Sequence, residues 1–360
     1  MVPVELSIGP TAAFPEPVCD TLRVLSQLPE KKGVSSLLVL GIDIGGSKLA
    51  LALADASGQL LRRFRRPIEP TGNAADDVAR IADDARGVLA EAGVELSALG
   101  AIGVSAPGPV DVERGLLIDP PNLPGWGTVP LVELLGSSLA RPIALENDAN
   151  AAALAEWRFG AGQGCSHLVY LTMSTGIGAG LILDGRLYRG ADGNAGEIGH
   201  IPLEVDGERC GCGMRGCFEA YAGGAAWSRR LRRTTPPASE VARLAGGREH
   251  AGPEQVVAAA RLDDPFARAE LARYNEHVAR GLAIVTFALA PERIILGTIP
   301  TAAGDELCLD PIRAQMRSRL WPRFADRTEI VPAALGEALP YLAGVCVALE
   351  GAAPEPPLRR

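Results

Sequence analysis

The chain has 360 residues, 43 acidic against 35 basic side chains for a net charge of -8, and 47% hydrophobic residues. That length suits about two domains, each able to bury a core, and the composition excludes a disordered chain. The acidic balance argues against nucleic acid or an anionic membrane as main partner, since both call for a basic face, and no apolar run reaches the ~18 residues of a membrane span.

Residues 1–36 are punctuated by proline and hold one short amphipathic stretch, Cys19 to Leu28. They read as a weakly structured arm, without the two or three helices and basic face of a DNA-reading module. No basic segment leads into an apolar one, so no secretory signal is expected. A meander follows. Leu37 to Asp43 reads as a buried strand, Gly45-Gly46 as a turn, and Leu49 to Ala54 alternates large and small residues with the period of a second strand. Asp55 to Gly58 is a turn into a third strand ending near Arg66. A helix is expected from Ala75 to Ala92, then a strand from Ala98 to Ser105 running into Pro107-Gly108-Pro109.

The plan recurs downstream. His167 to Met173 is a strand, Thr175 to Gly178 a turn, Gly180 to Leu183 a strand, and Asp184-Gly185 a turn before Arg186 to Tyr188. One glycine-turned meander per half predicts two related α/β lobes facing each other across a cleft. Helices are expected over Gly223 to Arg233, Ala238 to Ala245, Glu254 to Ala260 and Pro265 to Leu289, a strand over Arg293 to Leu296, and a last helix over Tyr341 to Glu350. The lobes are expected at 37–146, joined by a C-terminal helix within 337–352, and at 147–336.

Three segments carry chemistry. Gly41 to Lys48 (GIDIGGSK) has the look of a P-loop, but serine precedes lysine and a strand follows where a P-loop needs a helix. What remains is a glycine turn whose N–H groups can approach phosphate, or a plain hairpin; Asp43 at the strand end suits Mg²⁺ held through water. Ser174 to Gly180 is a second such turn, and two of them would grip a polyphosphate from both sides. Glu146 to Asn150 caps the Ala-rich helix that follows. Beyond capping, Asp148 can take a proton from a hydroxyl, as a weak base kept ionised by the helix N-terminus.

The third segment is Glu197 and His200, then Cys210, Cys212 and Cys217, then Glu219. Three thiolates and one imidazole make a closed Cys₃His zinc set, with free or redox-active thiols as the rival reading. A zinc loop would aim Glu197 and Glu219 at one hydroxylated ligand. Cys19, Cys165, Cys308 and Cys346 are scattered and read as buried apolar thiols; His167, His250 and His277 read as surface or core residues. Pro120 to Trp126 is a rigid loop, or a sugar contact through Asn122 and a stacking Trp126.

These motifs in this order resemble the ROK family of sugar kinases and repressors: DIGGSK (43–48), APGPVD (106–111), PNLPGW (121–126), ENDANAAALAE (146–156), STGIGAG (174–180), GNAGEIGH (193–200) and CGCGMRGCFEA (210–220). The resemblance spans about 37–350. It implies an actin-like, ribonuclease-H-like two-lobed α/β fold with a zinc-binding loop, and ATP-dependent phosphorylation of a hexose or N-acetylhexosamine hydroxyl, usually at C6. By the same resemblance Asp148 is the catalytic base, and Gly108, Asn122, Asn147, Asp148, Glu197, His200 and Glu219 bind the sugar. Gly45, Gly46, Ser47, Thr175 and Gly176 would cradle ATP phosphates, with Lys48 close by and Mg²⁺ near Asp43. His200 would serve zinc, beside Cys210, Cys212 and Cys217, through one ring nitrogen and the sugar through the other. Glucose is the expected substrate, N-acetylglucosamine or N-acetylmannosamine the alternative, and a non-catalytic sugar sensor the reading from another class. The resemblance further implies a cytoplasmic homodimer. Ser174 replaces the usual glycine, Ile295 to Pro300 replaces the usual Leu-Gly-Gly-Gly run, and the arm is longer than kinases need yet too short for a winged helix. A Cβ at Thr298 is expected to crowd the nucleotide.

Overall fold

Two five-stranded mixed sheets with one strand plan organise the described residues, 37–352, of this computed structural model. The expected arm over 1–36 and the end of the Pro-rich tail lie outside them. In the first sheet β1 (Leu38–Ile44), β2 (Lys48–Asp55) and β3 (Leu60–Pro67) form the antiparallel meander. Helix α1 (Ala74–Ala92) crosses over, capped by the Asn73 side chain and stopped by Gly93 in the left-handed conformation (φ 66°). Then β4 (Leu99–Ala106) joins parallel to β1, and after the short pair β5 (Val110–Asp111) and β6 (Leu116–Leu117) and helix α2 (Leu131–Leu139), β7 (Ile143–Asn147) joins parallel to β4. The order is β3-β2-β1-β4-β7.

Helix α3 (Asp148–Phe159) leads to the second sheet, where β8 (Leu168–Met173), β9 (Ile177–Leu183) and β10 (Arg186–Leu187) repeat the meander. Its crossover holds the cysteine loop and helices α4 (Phe218–Ala222), α5 (Gly224–Thr234), α6 (Glu240–Ala245), α7 (Pro253–Ala260) and α8 (Pro265–Leu289). β11 (Arg293–Leu296) follows parallel to β8. After α9 (Ile299–Gly304), a π turn, α10 (Asp310–Arg319) and α11 (Pro322–Ala325), β12 (Glu329–Pro332) joins parallel to β11. The order β10-β9-β8-β11-β12 repeats the first, and α12 (Leu339–Gly351) closes the chain.

Packing explains the alternation of β2. Leu49, Leu51 and Leu53 enter one core with Val78 and Ile81 of α1, while Ala52 and Ala54 face Val345 and Ala348 of α12. Both faces are covered, so the strand alternates large and small rather than apolar and polar. The small face lets α12 lie directly on β1: a Cβ at Gly41 would stand 2.3 Å from the Val345 nitrogen. In the second sheet Val169, Leu171 and Met173 share a core with Trp227, Val278 and Leu282, and Leu168 and Tyr170 pack with Ala153 and Leu154 of α3 and Leu342 of α12. Glu156, fully buried near the end of α3, accepts N–H bonds from Ala161 (2.8 Å), Ala334 (2.9 Å) and Leu335 (3.0 Å), which fixes the chain leaving β12. No helix among the described residues is long and apolar enough to cross a membrane.

Candidate functional site

The carboxyl ends of β1, β4, β7 and β8 converge on one cavity of about 730 Å³, the place where open α/β sheets bind ligands. Asn147 ends β7 and caps the helix; the Ala149 N–H is shared between Asn147 Oδ1 (2.9 Å) and Asp148 Oδ1 (2.8 Å), which leaves the second carboxylate oxygen of Asp148 to the cavity. Glu146 sets the pair from behind. It is 1% exposed, its Oε1 accepts the Asn147 N–H (3.0 Å) and Asn150 Nδ2 (2.9 Å), and its Oε2 accepts Arg189 Nε (2.7 Å).

Solvent reaches Asp148 from the open mouth, yet protein crowds it from both walls. That desolvation raises its pKa above the ordinary Asp value, against the Ala149 N–H and Asn147, which pull it down; the Glu197 charge adds to the rise. The expectation of a weak base is therefore corrected: crowding outweighs the helix end. Asp43 is also pushed up, to about 7, by burial and then by the Asp148 charge, although Ser105 Oγ donates to its Oδ1 at 2.6 Å.

Gly108, Asn122, Asn147, Glu197, His200 and Glu219 line the same cavity as Asp148. Glu219 Oε2 accepts the Ile177 N–H (2.8 Å), and His200 Nε2 lies 3.7 Å from Glu197 Oε2. Trp126 is elsewhere. It is buried and its Nε1 donates to Asp77 on α1 (2.9 Å), so it anchors the loop and leaves Pro121 and Asn122 as the loop's cavity residues.

The two glycine turns line the same cavity with Gly46, Ser47, Ser174, Thr175 and Gly176. Among the described residues the N–H groups of Gly46, Ser47, Thr175 and Gly176 find no backbone acceptor, as a phosphate cradle requires. Neither glycine is there for a left-handed backbone. A Cβ on Gly46 would come 2.8 Å from Asn122 Cβ, and one on Gly176 would come 2.4 Å from Glu219 Oε2, so each turn makes room for a cavity side chain packed against it. Asp43, Gly45 and Lys48 share the first hairpin but stand outside the cavity lining: the Gly45 N–H bonds back to the Lys48 carbonyl (2.9 Å), and the Asp43 carboxylate is drawn to Ser105. Thr298 does carry its Cβ at the edge of the site, at φ 61°, with Oγ1 3.5 Å from Thr172 Oγ1.

His200, Cys210, Cys212 and Cys217 converge, with their ligand atoms all within 4.8 Å of one another. Cys212 Sγ and Cys217 Sγ are 3.8 Å apart, as are Cys210 Sγ and His200 Nδ1. A tetrahedral zinc with sulfur at ~2.3 Å has S···S edges of about 3.8 Å, so the set fits the ion. His200 turns Nδ1 to the sulfurs and Nε2 toward Glu197. Cys165, Cys308 and Cys346 are buried, as expected of apolar thiols, and His277 is buried against Tyr221 with Nδ1 on the Arg273 carbonyl (2.8 Å). Sequence reasoning missed Arg189, Ser105 and the supporting part of Glu146; only the glutamate adjoining the Asn-Asp pair offered a signal.

The ROK family model matches residues 39–347. The glucokinase of Thermotoga maritima is 35% identical over 303 residues, 84% of this chain and 94% of the relative. A ROK family glucokinase from Streptomyces griseus, crystallised in complex with glucose and AMPPNP, superposes with a TM-score of 0.73 at 33% identity, over 87% of this chain and 100% of the other. The xylose repressor of Bacillus spizizenii is 27% identical over 312 residues, 86% of this chain and 77% of the repressor. The two matched sheets are the halves of the actin-like sugar kinase fold, and the chain belongs to the ROK family, on its sugar-kinase side.

Proposed function

We propose that the chain is an ATP-dependent hexokinase that phosphorylates the C6 hydroxyl of glucose, with Asp148 as general base. The observation that carries this is a single cavity that brings a carboxylate of raised pKa together with hydrogen-bonding side chains and with N–H groups that have no backbone acceptor among the described residues. Asn122, Asn147, Glu197, His200 and Glu219 hold the sugar hydroxyls and turn one toward Asp148. Gly46, Ser47, Thr175 and Gly176 hold the phosphates. Asp148 accepts the hydroxyl proton as the oxygen attacks the γ-phosphorus and ADP leaves; positioning and charge stabilisation supply most of the rate. Asp43, whose second carboxylate oxygen has no partner among the described residues, suits a water-bridged Mg²⁺, which when bound neutralises charge on the phosphates. Zinc held by His200, Cys210, Cys212 and Cys217 is structural and fixes the loop that presents His200 and Glu219.

The same reading has residues 37–146 with 337–352 closing on 147–336 around the sugar, which excludes water, in a cytoplasmic dimer with reduced thiols. The repressor relative supports a second reading, a sugar sensor without turnover. Coupled ADP release over glucose, N-acetylglucosamine, N-acetylmannosamine and xylose tests both. Turnover fastest on glucose and reduced roughly 10²–10⁴-fold in Asp148→Ala is expected. Sugar binding without ADP release on any sugar would leave the sensor, and undiminished turnover in Asp148→Ala would remove the base.

A further inference from the structure

Behind the cysteine loop lies another large cavity, about 670 Å³, which the proposed reaction does not use. Six arginines face into it from three elements: Arg209 and Arg215 from the loop, Arg229, Arg230 and Arg233 from α5, and Arg273 from α8. Two are engaged, Arg230 in an ion pair with Glu270 and Arg215 donating to the Gly207 carbonyl (3.1 Å). Among the described residues Arg209, Arg229, Arg233 and Arg273 form no ion pair, and the one-turn spacing of Arg229 and Arg233 puts both on one face of α5. In a chain of net charge -8 this is a local reversal of sign. Guanidinium groups repel one another at close range, and an anion among them removes that cost; their planar forks match phosphate oxygens in pairs.

The cavity also carries three carboxylates, Glu204 in an ion pair with Arg280 and Asp206 and Glu208 in none among the described residues. Carboxylates beside a phosphate site repel the phosphate but accept bonds from neighbouring hydroxyls. The combination fits a small phosphate ester that bears hydroxyls better than it fits a bare inorganic ion. A nucleobase has little to stack on, since Tyr221 is already stacked on His277 (4.7 Å).

We propose that this cavity is a second ligand site, for a sugar phosphate, and that its occupancy is felt at the first. Both walls continue into the cavity that holds Asp148. The first two N–H groups of α5 bond the Ser174 carbonyl (2.8 Å) and the Thr175 carbonyl (2.9 Å), and Glu219, two residues beyond Cys217, holds the Ile177 N–H. A ligand that pins α5 to the cysteine loop therefore steadies the phosphate turn and the sugar wall together. That the occupant belongs to the class of the enzyme's own product rests on the proposed reaction; the site itself does not.

Isothermal titration calorimetry of the full chain, without ATP, tests it, with glucose 6-phosphate, inorganic phosphate and glucose as probes. Glucose 6-phosphate binding is expected to survive Glu197→Ala, which weakens the catalytic cavity. It should weaken roughly tenfold or more in Arg229→Ala/Arg233→Ala, the loss of one or two charge-assisted bonds. Arg273→Gln, on a different helix, should weaken it too, and unchanged circular dichroism in these exposed-arginine variants shows that folding is intact. Binding lost in Glu197→Ala but unchanged in the arginine variants would return the ligand to the catalytic cavity and overturn the proposal, as would no binding at all. Inorganic phosphate binding as tightly as the ester would overturn the sugar-phosphate assignment. None of these readouts depends on turnover, so failure of the hexokinase reading is separable.

Discussion

The two sheets share strand order and strand directions, and they differ where their matching strands meet the cavity. Ile44↔Leu49 closes the first hairpin and Met173↔Ile177 the second, which makes Asp43 the counterpart of Thr172. Each reaches a hydroxyl carried by or just beyond the next parallel strand: Asp43 meets Ser105 at 2.6 Å, and Thr172 meets Thr298 at 3.5 Å. One half thus presents a charge and the other two neutral hydroxyls. The crossovers differ as strongly, since 68–98 carries α1 and one short 3-10 turn while 188–292 carries the cysteine loop with Glu197 and Glu219, the carboxylates proposed to hold the sugar. A repeated frame fixes where the loops meet, and the loops divide the work into a charged side and a shape-reading side.

Substitution at the matched positions tests that division first, where the effect is largest. Asp43→Asn keeps the acceptor for Ser105 but removes the charge, and steady-state kinetics with Mg²⁺ should show turnover lower by roughly 10²–10³, the scale of lost metal-ion stabilisation. Thr172→Val should cost less than about threefold, a neutral bond at the surface of the site. Equal losses would end the contrast. Asp43 also marks itself in stability. Its pKa is about 7 in the fold against 3.8 unfolded, so the folded state binds the extra proton between these values. Its contribution therefore lowers stability as pH rises from about 4 to about 8. Asp43→Asn should unfold at a higher temperature than the parent at pH 8, with the gap closing toward pH 4 in scanning calorimetry.

The cysteine loop belongs to one half only, so metal removal should divide the molecule. Elemental analysis of protein purified without chelator should give one zinc per chain. Stripping the metal, or Cys212→Ser, should raise the KM for glucose about 10- to 100-fold, the usual scale for disturbed metal-site support. Amide exchange in β1–β4 should stay as in the parent while 198–219 loses protection. Zinc-free protein with unchanged KM would assign the four ligands no part in the sugar wall.

Glu146 and Arg189 join the halves, since β7 belongs to the first sheet and Arg189 follows β10 of the second. Glu146→Gln preserves the bond to the Asn147 N–H and gives up the charge opposite Arg189. Loss of about one charge-assisted bond predicts a roughly tenfold fall in kcat, little change in the KM for ATP, and a shifted acid limb of the pH profile as Asp148 moves. Arg189→Lys should recover part of the rate. A fall in melting temperature with kcat unchanged would make the pair a stability element only.

Much of this frame is legible in the chain itself. The large–small alternation of 49–54 and the glycine turns give the repeated meander, and the density of cysteine beside His200 gives the loop on which the four side chains converge. What sequence conceals is tertiary. Gly46 and Gly176 look like turn residues, but their lack of a Cβ makes room for Asn122 and Glu219, 76 and 43 positions away in sequence. Trp126 looks like a sugar platform until Asp77, 49 positions away, takes its N–H. Asp148 looks like a weak base because only the helix end is local, while the burial that raises its pKa, and the Glu197 charge that adds to it, are tertiary. β7 and β12 escape patterning because they are short, and β7 ends in two polar residues, Glu146 buried in a hydrogen-bond network and Asn147 at the site.

The smallest expected effect falls at Thr298. Its backbone (φ 61°, ψ -106°) is one that β-branched residues avoid, at a cost of about 1–3 kcal/mol. Thr298→Gly removes that strain and frees an unfolded-state glycine that takes back up to about 1 kcal/mol. A net gain of about 1 kcal/mol, a rise of roughly 2–4 °C in melting temperature, is expected for a chain of this size. With the Cβ gone from the nucleotide edge, the KM for ATP should fall by a small factor, about threefold, the worth of one relieved contact. The Thr172–Thr298 hydroxyl contact, at 3.5 Å, is too long to offset the strain. If the glycine variant melts lower and binds ATP more weakly, the threonine pair is a bonded counterpart of Asp43 and Ser105, and the neutral half of the site is held by side chains as firmly as the charged half.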